Sequence, residues 1–294
     1  MKRSKESRQH HWWPVGLQRK WRDSSGRVSW IQPNGETDHK KVDNRKIGYK
    51  RYGHTIFRDS VWKTNFEDLF KIDNKVPDIV DKLGAIRGDR GNSCQFYQLE
   101  ENLHRNLLLF LYSILIRSPA YRSKYGNPAF PDNEDIGKAN IYQSYETAKA
   151  LCNTGSISNQ FFVFLRSSTK KFIFGDGSLD WLTCNLFANQ ILGKTLIPLT
   201  PELCIYFCTT LIMTTKPNCA VLNTEPWMVE KINDITQIYS SNQLFYLGKA
   251  PKLTDLFRKE RFLEHKEQSE PFIDFLDKIA GNRTPDLKSI NAFR

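Results

Sequence analysis

The 294-residue chain lacks a long hydrophobic run. Its longest apolar stretch covers residues 107–116, whereas a membrane-spanning helix needs about 20 such residues. The N-terminus stays polar after Met1, so the sequence predicts no signal peptide. We therefore expect a cytoplasmic protein with no membrane partner.

The chain also lacks the paired cysteines of a structural zinc site. None of its six cysteines forms a C-x-x-C pair, and Cys204 and Cys208 stand among apolar residues. Such a pattern is typical of buried free thiols in a reducing compartment. The sequence has no dense carboxylate cluster either, which argues against two-metal catalysis. We expect neither a metal site nor a cofactor.

Positive charge is abundant, and it is concentrated near the N-terminus. The formal net charge is +11. Residues 1–60 hold 15 Lys and Arg against 6 Asp and Glu, whereas the remaining chain holds 28 against 26. Five of the seven tryptophans lie within the first 62 residues. Basic charge interleaved with aromatic rings is typical of a nucleic-acid-binding surface. The alternative is a basic segment that is merely solvated.

Hydrophobic patterning predicts both helices and strands. Residues 98–116 form the clearest helix, which ends before Pro119. Residues 161–174 and 195–213 each have the pattern of a β-hairpin, and a further helix is predicted over residues 225–240. Residues 119–135, with three prolines, are predicted to be a loop.

These elements come in blocks rather than in strict alternation, which favours an α+β fold. We expect a single compact domain with a central, mostly antiparallel sheet flanked by helices. This domain is predicted to cover residues 1–250, with residues 1–62 as its basic, Trp-rich segment. Residues 251–294 are predicted to form a charged helical extension.

Two histidine motifs have the residue types needed for proton transfer. His11 lies in a basic, aromatic segment, and a metal-independent ribonuclease needs only a base, an acid and a cation beside the phosphate. His104 lies one helical turn after Glu100, so the two side chains share a face and could position a proton or a metal. The alternatives are a structural histidine in a packed N-terminal strand and a polar helix start.

A third candidate is the acidic turn Gly175-Asp176-Gly177. Glycines on both sides of an aspartate predict a tight turn that exposes the carboxylate. An ordinary turn aspartate without a catalytic role is the alternative.

Five short motifs together resemble a known family. They are His11-Trp12-Trp13-Pro14 with Arg19-Lys20-Trp21, Arg117-Ser118-Pro119 through Arg122, Phe172 through Gly177, Leu196 through Pro201, and Asn233. In this order, over residues 9–245, they resemble motifs of the prokaryotic domain-of-unknown-function family 4238. The chain departs from that pattern at Gln18, where the family has Leu, and at Gly175-Asp176-Gly177-Ser178, where only the acid of Ser-Asp-Asn-Pro is kept.

The resemblance implies little biochemistry, because the family has no settled activity and only some members are linked to anti-phage defence. The matching polar residues are His11, Arg19, Arg117 and Asp176. Polar residues from separated segments that recur in one motif set are typical of a composite site. They could equally be structural residues.

Our leading hypothesis is a bacterial defence or toxin-type effector that acts on nucleic acid, RNA rather than DNA, as a metal-independent ribonuclease. His11, Arg19, His104, Arg117 and Asp176 are the predicted catalytic residues, with the arginines on phosphate. The predicted nucleic-acid-binding residues are Trp12, Trp13, Lys20, Trp21 and Arg22. The alternatives are a non-catalytic sensor of nucleic acid or of a phage product, and an enzyme for a nucleotide or phosphate metabolite. A phage-derived trigger or inhibitor is a further predicted partner.

Overall fold

The computed structural model describes most of the chain. The described residues are 9–42, 47–58, 62–88, 94–125, 134–154, 157–180, 183–186, 189–210, 216–259 and 270–282. Within them the strands are β1 Gln9–His11, β2 Arg27–Ile31, β3 Thr37–Lys41, β4 Tyr49–Arg51, β5 Thr55–Arg58, β6 Trp62–Asn65, β7 Cys94–Tyr97, β8 Gln160–Arg166, β9 Phe174–Gly175, β10 Leu179–Asp180, β11 Thr183–Asn185, β12 Gln190–Leu192, β13 Lys194–Thr200, β14 Leu203–Thr209, β15 Cys219–Asn223 and β16 Leu244–Tyr246.

Helices surround these strands. Within the same residues the α-helices are α1 Val15–Gln18, α2 Val76–Ala85, α3 Glu101–Arg117, α4 Pro119–Tyr125, α5 Glu134–Thr154, α6 Pro226–Ile238, α7 Asp255–Arg258 and α8 Pro271–Asn282. Short 3₁₀ turns cover Arg19–Trp21, Glu67–Leu69 and Lys71–Lys75. The α+β class expected from the sequence is confirmed.

The larger sheet has the strand order β10-β13-β14-β8-β15-β7, and only the β8–β15 pair is parallel. Alternate residues of β8 face opposite sides. Phe162 contacts His104 of α3 on one side. On the other side Tyr206 of β14, which pairs with Val163, donates a hydrogen bond to Asp277 of α8 at 2.5 Å. The sheet therefore lies between α3 and α8, and part of the expected C-terminal extension belongs to the core.

The smaller sheet has the order β3-β2-β16-β9, with every pair antiparallel. It joins β2 and β3 of the N-terminal segment to β9 and β16, which lie more than 130 residues further along the chain. One face packs on the tryptophans of that segment, and β1 pairs with β4 beside it. This sheet places the basic segment against the main core.

The hairpin expected over residues 161–174 is wrong. The first predicted strand is β8, which pairs with β14 and β15 in the larger sheet. The second contributes β9, which pairs with β16 in the smaller sheet. A strand that is apolar on both faces is typical of a sheet centre, and β8 is buried from residue 160 to 165. The hairpin expected over residues 195–213 is confirmed as far as residue 209 by the β13–β14 pair, with a register shift after Pro198, and residues 211–213 lie outside the described part of the chain.

The loop expected over residues 119–135 is partly wrong. Residues 119–125 form α4, because Pro119 stands at the first position of the helix, where its fixed φ angle is favourable and no amide hydrogen is needed. Residues 134–135 already belong to α5. Residues 126–133 lie outside the described part of the chain.

Candidate functional site

Arg117 lies at the end of α3 with its side chain fully buried. Its guanidinium donates to both carboxylate oxygens of Asp73, at 2.8 and 2.7 Å, and to the carbonyl oxygen of His11 at 3.2 Å. The same group lies 4.4 Å from the ring centre of Phe70. A two-point bond of this kind is strong and geometrically specific, so a phosphate would have to displace Asp73. The arrangement gives Arg117 a structural role, in which it fastens β1 to α3.

The adjacent histidines His10 and His11 have different surroundings. His10 is buried and stacks on His54 at 5.2 Å, and its Nδ1 accepts a hydrogen bond from the His54 amide at 2.7 Å. His11 is half-buried and pairs with Tyr49 across the β1–β4 ribbon, with the two ring centres 6.4 Å apart. His11 is thus partly exposed, although Nε2 of its ring is buried, whereas His10 belongs to the core.

The Asp176 turn is buried, which corrects the expectation that it exposes its carboxylate. A Cβ atom on Gly175 would lie 1.9 Å from Ser240 Oγ, and one on Gly177 would lie 1.9 Å from the Tyr239 carbonyl oxygen. The glycines are needed for this close approach. The carboxylate accepts hydrogen bonds from the amides of Ser241, at 2.9 Å, and Asn242, at 3.0 Å.

The Asn242 side chain also donates to Asp176, at 2.9 Å. Burial raises the pKa of Asp176 to about 6, although these donors act in the opposite direction. The carboxylate thus holds the loop at residues 241–242 in place. In this geometry Asp176 does not orient a histidine.

Of the four polar residues that match the family motifs, three lie in segments that contact one another: His11, Arg117 and Asp176. Arg117 binds the His11 carbonyl oxygen, and the amide of Ala120 donates to the Asp176 carbonyl oxygen at 3.3 Å. Arg19, in contrast, is exposed on the 3₁₀ turn Arg19–Trp21. The segments of His11, Arg117 and Asp176 thus adjoin, and their contacts are those of a structural junction.

The other basic residues predicted to bind nucleic acid lie on the same turn as Arg19 or directly after it. Lys20 donates to Asp81 of α2 at 2.7 Å. Arg22 is exposed at the end of that turn. Both residues remain accessible, and their predicted roles stay predictions.

His104 lies away from this junction. It is 13 residues before Arg117 on α3, a separation of about 20 Å along the helix axis. Its Nδ1 lies 3.0 Å from Asn218 Nδ2, and its ring meets Phe162 edge-on at 5.0 Å. Burial lowers its pKa to about 4. The residue therefore has the surroundings of a neutral core histidine, and the described residues contain no group of three His, Cys, Asp or Glu that could hold a metal.

The three tryptophans predicted to stack bases are buried, which corrects that expectation. Trp13 lies 4.7 Å from Phe174 and 4.3 Å from Phe245, measured between ring centres. The Trp21 indole donates to the Leu199 carbonyl oxygen at 3.0 Å. Large rings stabilise a core by their buried area. Trp13 and Trp21 therefore pack the N-terminal segment against both sheets, whereas Trp12, which is 6% exposed, also lines a pocket.

A pocket of about 250 Å³ lies beside the junction. It contains side chains from the N-terminal segment, the Asp176 turn and the loop before β16. The lining residues are Trp12, Trp30, Lys40, Ile47, Gly48, Tyr49, Pro119, Asp176, Asn242, Gln243 and Phe245.

Four exposed cations lie on β3 and β4, the strands that carry Lys40 and Tyr49, and we call them the basic rim: Lys40, Lys41, Lys50 and Arg51. Lys40 of β3 lines the pocket, and Lys50 and Arg51 follow Tyr49 on β4. Asp38 approaches Lys40 only to 3.7 Å, and both side chains are exposed. An exposed pair at that distance contributes little, so Lys40 remains available to an anion.

Sequence reasoning did not single out the basic rim or Tyr49. The run Tyr49-Lys50-Arg51-Tyr52 has the same basic and aromatic composition as the tryptophan motifs. Composition alone does not separate the two groups, because it is burial that decides which rings remain accessible.

No family model matches the chain, and neither a curated protein nor a solved structure similar to it was found. The resemblance to the domain-of-unknown-function family therefore stays a prediction. Within the described residues, no helix is both long and apolar enough to cross a membrane.

Proposed function

We propose that the protein binds a nucleic acid, RNA rather than DNA, across the basic rim. The observation that supports this proposal is the set of four exposed cations on β3 and β4, of which Lys40 lines the pocket. Lysine and arginine side chains neutralise backbone phosphates and release counterions, which favours binding of a polyanion at low salt. The predicted defence role supplies the biological setting of the proposal.

RNA cleavage is the second candidate, and the observation that favours it is the position of His11. This half-buried histidine pairs with Tyr49, which lines the pocket. An imidazole can take or give a proton near neutral pH. Because Arg117 and Asp176 are engaged in structural contacts and Nε2 of His11 is buried, His11 would have to act through Nδ1, together with a cation of the rim.

Salt-dependent binding tests the main proposal. Fluorescence polarisation would measure the affinity for a short single-stranded RNA, and for DNA of the same sequence, between 50 and 200 mM salt. Over this range added salt lowers the affinity of a protein that makes 6–10 phosphate contacts by roughly 10³–10⁵-fold. The triple variant Lys40→Gln, Lys50→Gln and Arg51→Gln should lower the slope of log affinity against log salt by about 0.7 for each phosphate that the rim no longer neutralises.

The matched control removes three exposed lysines from another groove, between α3 and α5: Lys71→Gln, Lys75→Gln and Lys149→Gln. Both triple variants change the net charge equally. An equal loss of affinity in the two would show that net charge alone is responsible and would overturn the assignment to the rim. Unaltered binding by the rim variant would overturn it as well.

Cleavage has its own test. Purified protein would be incubated with labelled RNA in the presence of a chelator, and His11→Ala should abolish any cleavage. His39→Ala is the control, because His39 is an exposed histidine of the same segment. Cleavage that persists in His11→Ala would refute this second candidate without touching the binding proposal.

A further inference from the structure

We propose that the pocket beside the basic rim receives one unstacked base of the bound strand. This inference rests on the proposed binding function and adds to it that the ligand is single-stranded. Single-stranded RNA is commonly recognised through splayed bases that stack on aromatic rings and bond along their edges. The pocket offers aromatic rings, amide groups and one cation, Lys40, within one small space.

The size of the pocket favours a single base. Its volume of about 250 Å³ falls just below the roughly 300–1,000 Å³ of sites that hold drug-sized ligands. A dinucleotide would exceed it, whereas a base with its sugar left outside is a suitable occupant. The phosphates on either side of that base would then remain at the surface, where the rim lies.

Tyr49 is the ring that can stack on such a base. It is 36% exposed and lines the pocket, whereas Trp12 and Trp30 are each only 6% exposed and form its inner wall. Lys40 lies 5.2 Å from the ring centre of Trp30, which brings a cation to the same wall. A base on Tyr49 would therefore have a ring on one face and a cation close by.

The edge of the base would meet side-chain amides. Asn242 uses its Nδ2 group to donate to the Asp176 carboxylate at 2.9 Å and to Ser241 Oγ at 2.8 Å, so the carbonyl oxygen is the group that it can offer to a ligand. Gln243 adds a second amide to the lining. Amide groups of this kind pair with the donors and acceptors on a base edge. The hydrogen bond to Asp176 thus fixes the orientation of the Asn242 side chain, and Asp176 acts on the base only through Asn242.

The test compares two exposed tyrosines. Tyr49→Leu removes the ring beside the pocket, and Tyr142→Leu removes a ring of similar exposure, 38%, on α5. Affinity would be measured for a single-stranded RNA and for a duplex RNA of the same length. We expect Tyr49→Leu to weaken single-strand binding about 10-fold, since stacking on one ring contributes at this level, and to leave duplex binding unchanged. Tyr142→Leu should alter neither, and Tyr49→Phe should restore binding.

A 2-aminopurine reporter placed in the single strand gives a second readout. Its fluorescence should be quenched on binding to the wild-type protein and to Tyr49→Phe, but not to Tyr49→Leu. Circular dichroism would verify that each variant is folded. Single-strand affinity and quenching that are unchanged in Tyr49→Leu would overturn the base pocket while leaving the rim proposal standing. If the wild-type protein binds neither strand nor duplex in a salt-dependent way, the binding function itself fails.

Discussion

The inner and outer sides of residues 9–42 and 47–51 differ in what their polar and aromatic residues do. On the inner side, His10 stacks on His54 and Trp13 packs on Phe174. On the outer side, Tyr49 and the basic rim face solvent. Basic and aromatic residues occur throughout this segment, but those on the inner side pack against the core and those on the outer side are accessible to solvent. The residues selected by motif belong largely to the first, and the residues best placed to meet a ligand belong to the second.

Two ion pairs hold the N-terminal segment against the rest of the protein, one on its inner side and one on its outer side. Their contributions to the free energy of unfolding can be compared. The first pair joins Arg117, whose side chain is fully buried, to Asp73, whose side chain is 26% exposed, and Arg117 also binds the His11 carbonyl oxygen. The exposed pair joins Lys20 to Asp81. A buried cation that loses its partner is left without solvation, whereas an exposed cation regains water. The same chemical change should therefore have very different effects on the two sides.

The largest effect is expected for Asp73→Ala. It leaves the Arg117 guanidinium buried without its carboxylate, which should lower the free energy of unfolding by about 3–5 kcal/mol. The matched variant Asp81→Ala should change it by less than about 1 kcal/mol. Urea denaturation followed by circular dichroism would measure both. Similar losses in the two variants would remove the distinction between the inner and outer faces.

A smaller effect is expected for Gly48→Ala on the inner side. Gly48 has a φ of 58°, and an added Cβ would lie 2.6 Å from the Cβ atom of Trp13. Gly35 also has a positive φ, 89°, but an added Cβ meets nothing within 4 Å. Both substitutions carry backbone strain of about 1 kcal/mol or more, and overpacking should add about 1–3 kcal/mol at Gly48 only.

Thermal unfolding of the two variants isolates the packing contribution, because the backbone strain is shared. Gly48→Ala should melt several degrees below Gly35→Ala, as expected for a difference of about 1–3 kcal/mol in a chain of this size, where about 1 kcal/mol corresponds to roughly 2–4 °C. Equal melting temperatures would mean that Trp13 can move away from Gly48, and that the inner face packs loosely at this point.

The sequence predicts those features whose cause is local. The helix over residues 98–116 and the β13–β14 hairpin follow from periodicity and a short turn, and both are present. Pairings set by distant contacts were missed. β9 lies beside β16, about 70 residues away, and Asp73 binds Arg117 across 44 residues. The burial of Trp13 has the same origin, because its partner ring belongs to Phe174.

The candidate site shows this limit most clearly. His11, Arg117 and Asp176 are indeed close together, but their sequence motifs do not reveal that Asp73 and the loop at residues 241–242 already occupy the two charged groups. Exposure of Tyr49 and Lys40 follows only from the strand pairing around them. The motifs therefore do not predict which of these residues a ligand could reach.

Buried histidines provide the smallest of the expected effects. Burial, followed by the charges of Arg122 and Arg117, holds the pKa of His54 well below its ordinary value, and burial lowers that of His104 to about 4. Both groups stay neutral in the folded protein while the unfolded chain binds protons near pH 6.5. Stability is therefore full above that pH and decreases as the pH falls. Asp176, whose pKa is raised to about 6, offsets part of this decrease, because its folded form binds a proton more readily.

We expect the free energy of unfolding to decrease between pH 7 and pH 5.5 by on the order of 1 kcal/mol for each buried histidine. His54→Asn removes the inner titrating group and should flatten this dependence, even though the variant is less stable at every pH. His39→Asn removes an exposed histidine of β3 and should leave the dependence as in the wild type. Urea denaturation at several pH values measures the slopes. Identical slopes for the two variants would show that His54 does not cause the loss of stability at low pH. A histidine that binds protons equally in the folded and unfolded states makes no contribution to the pH dependence of the free energy of unfolding.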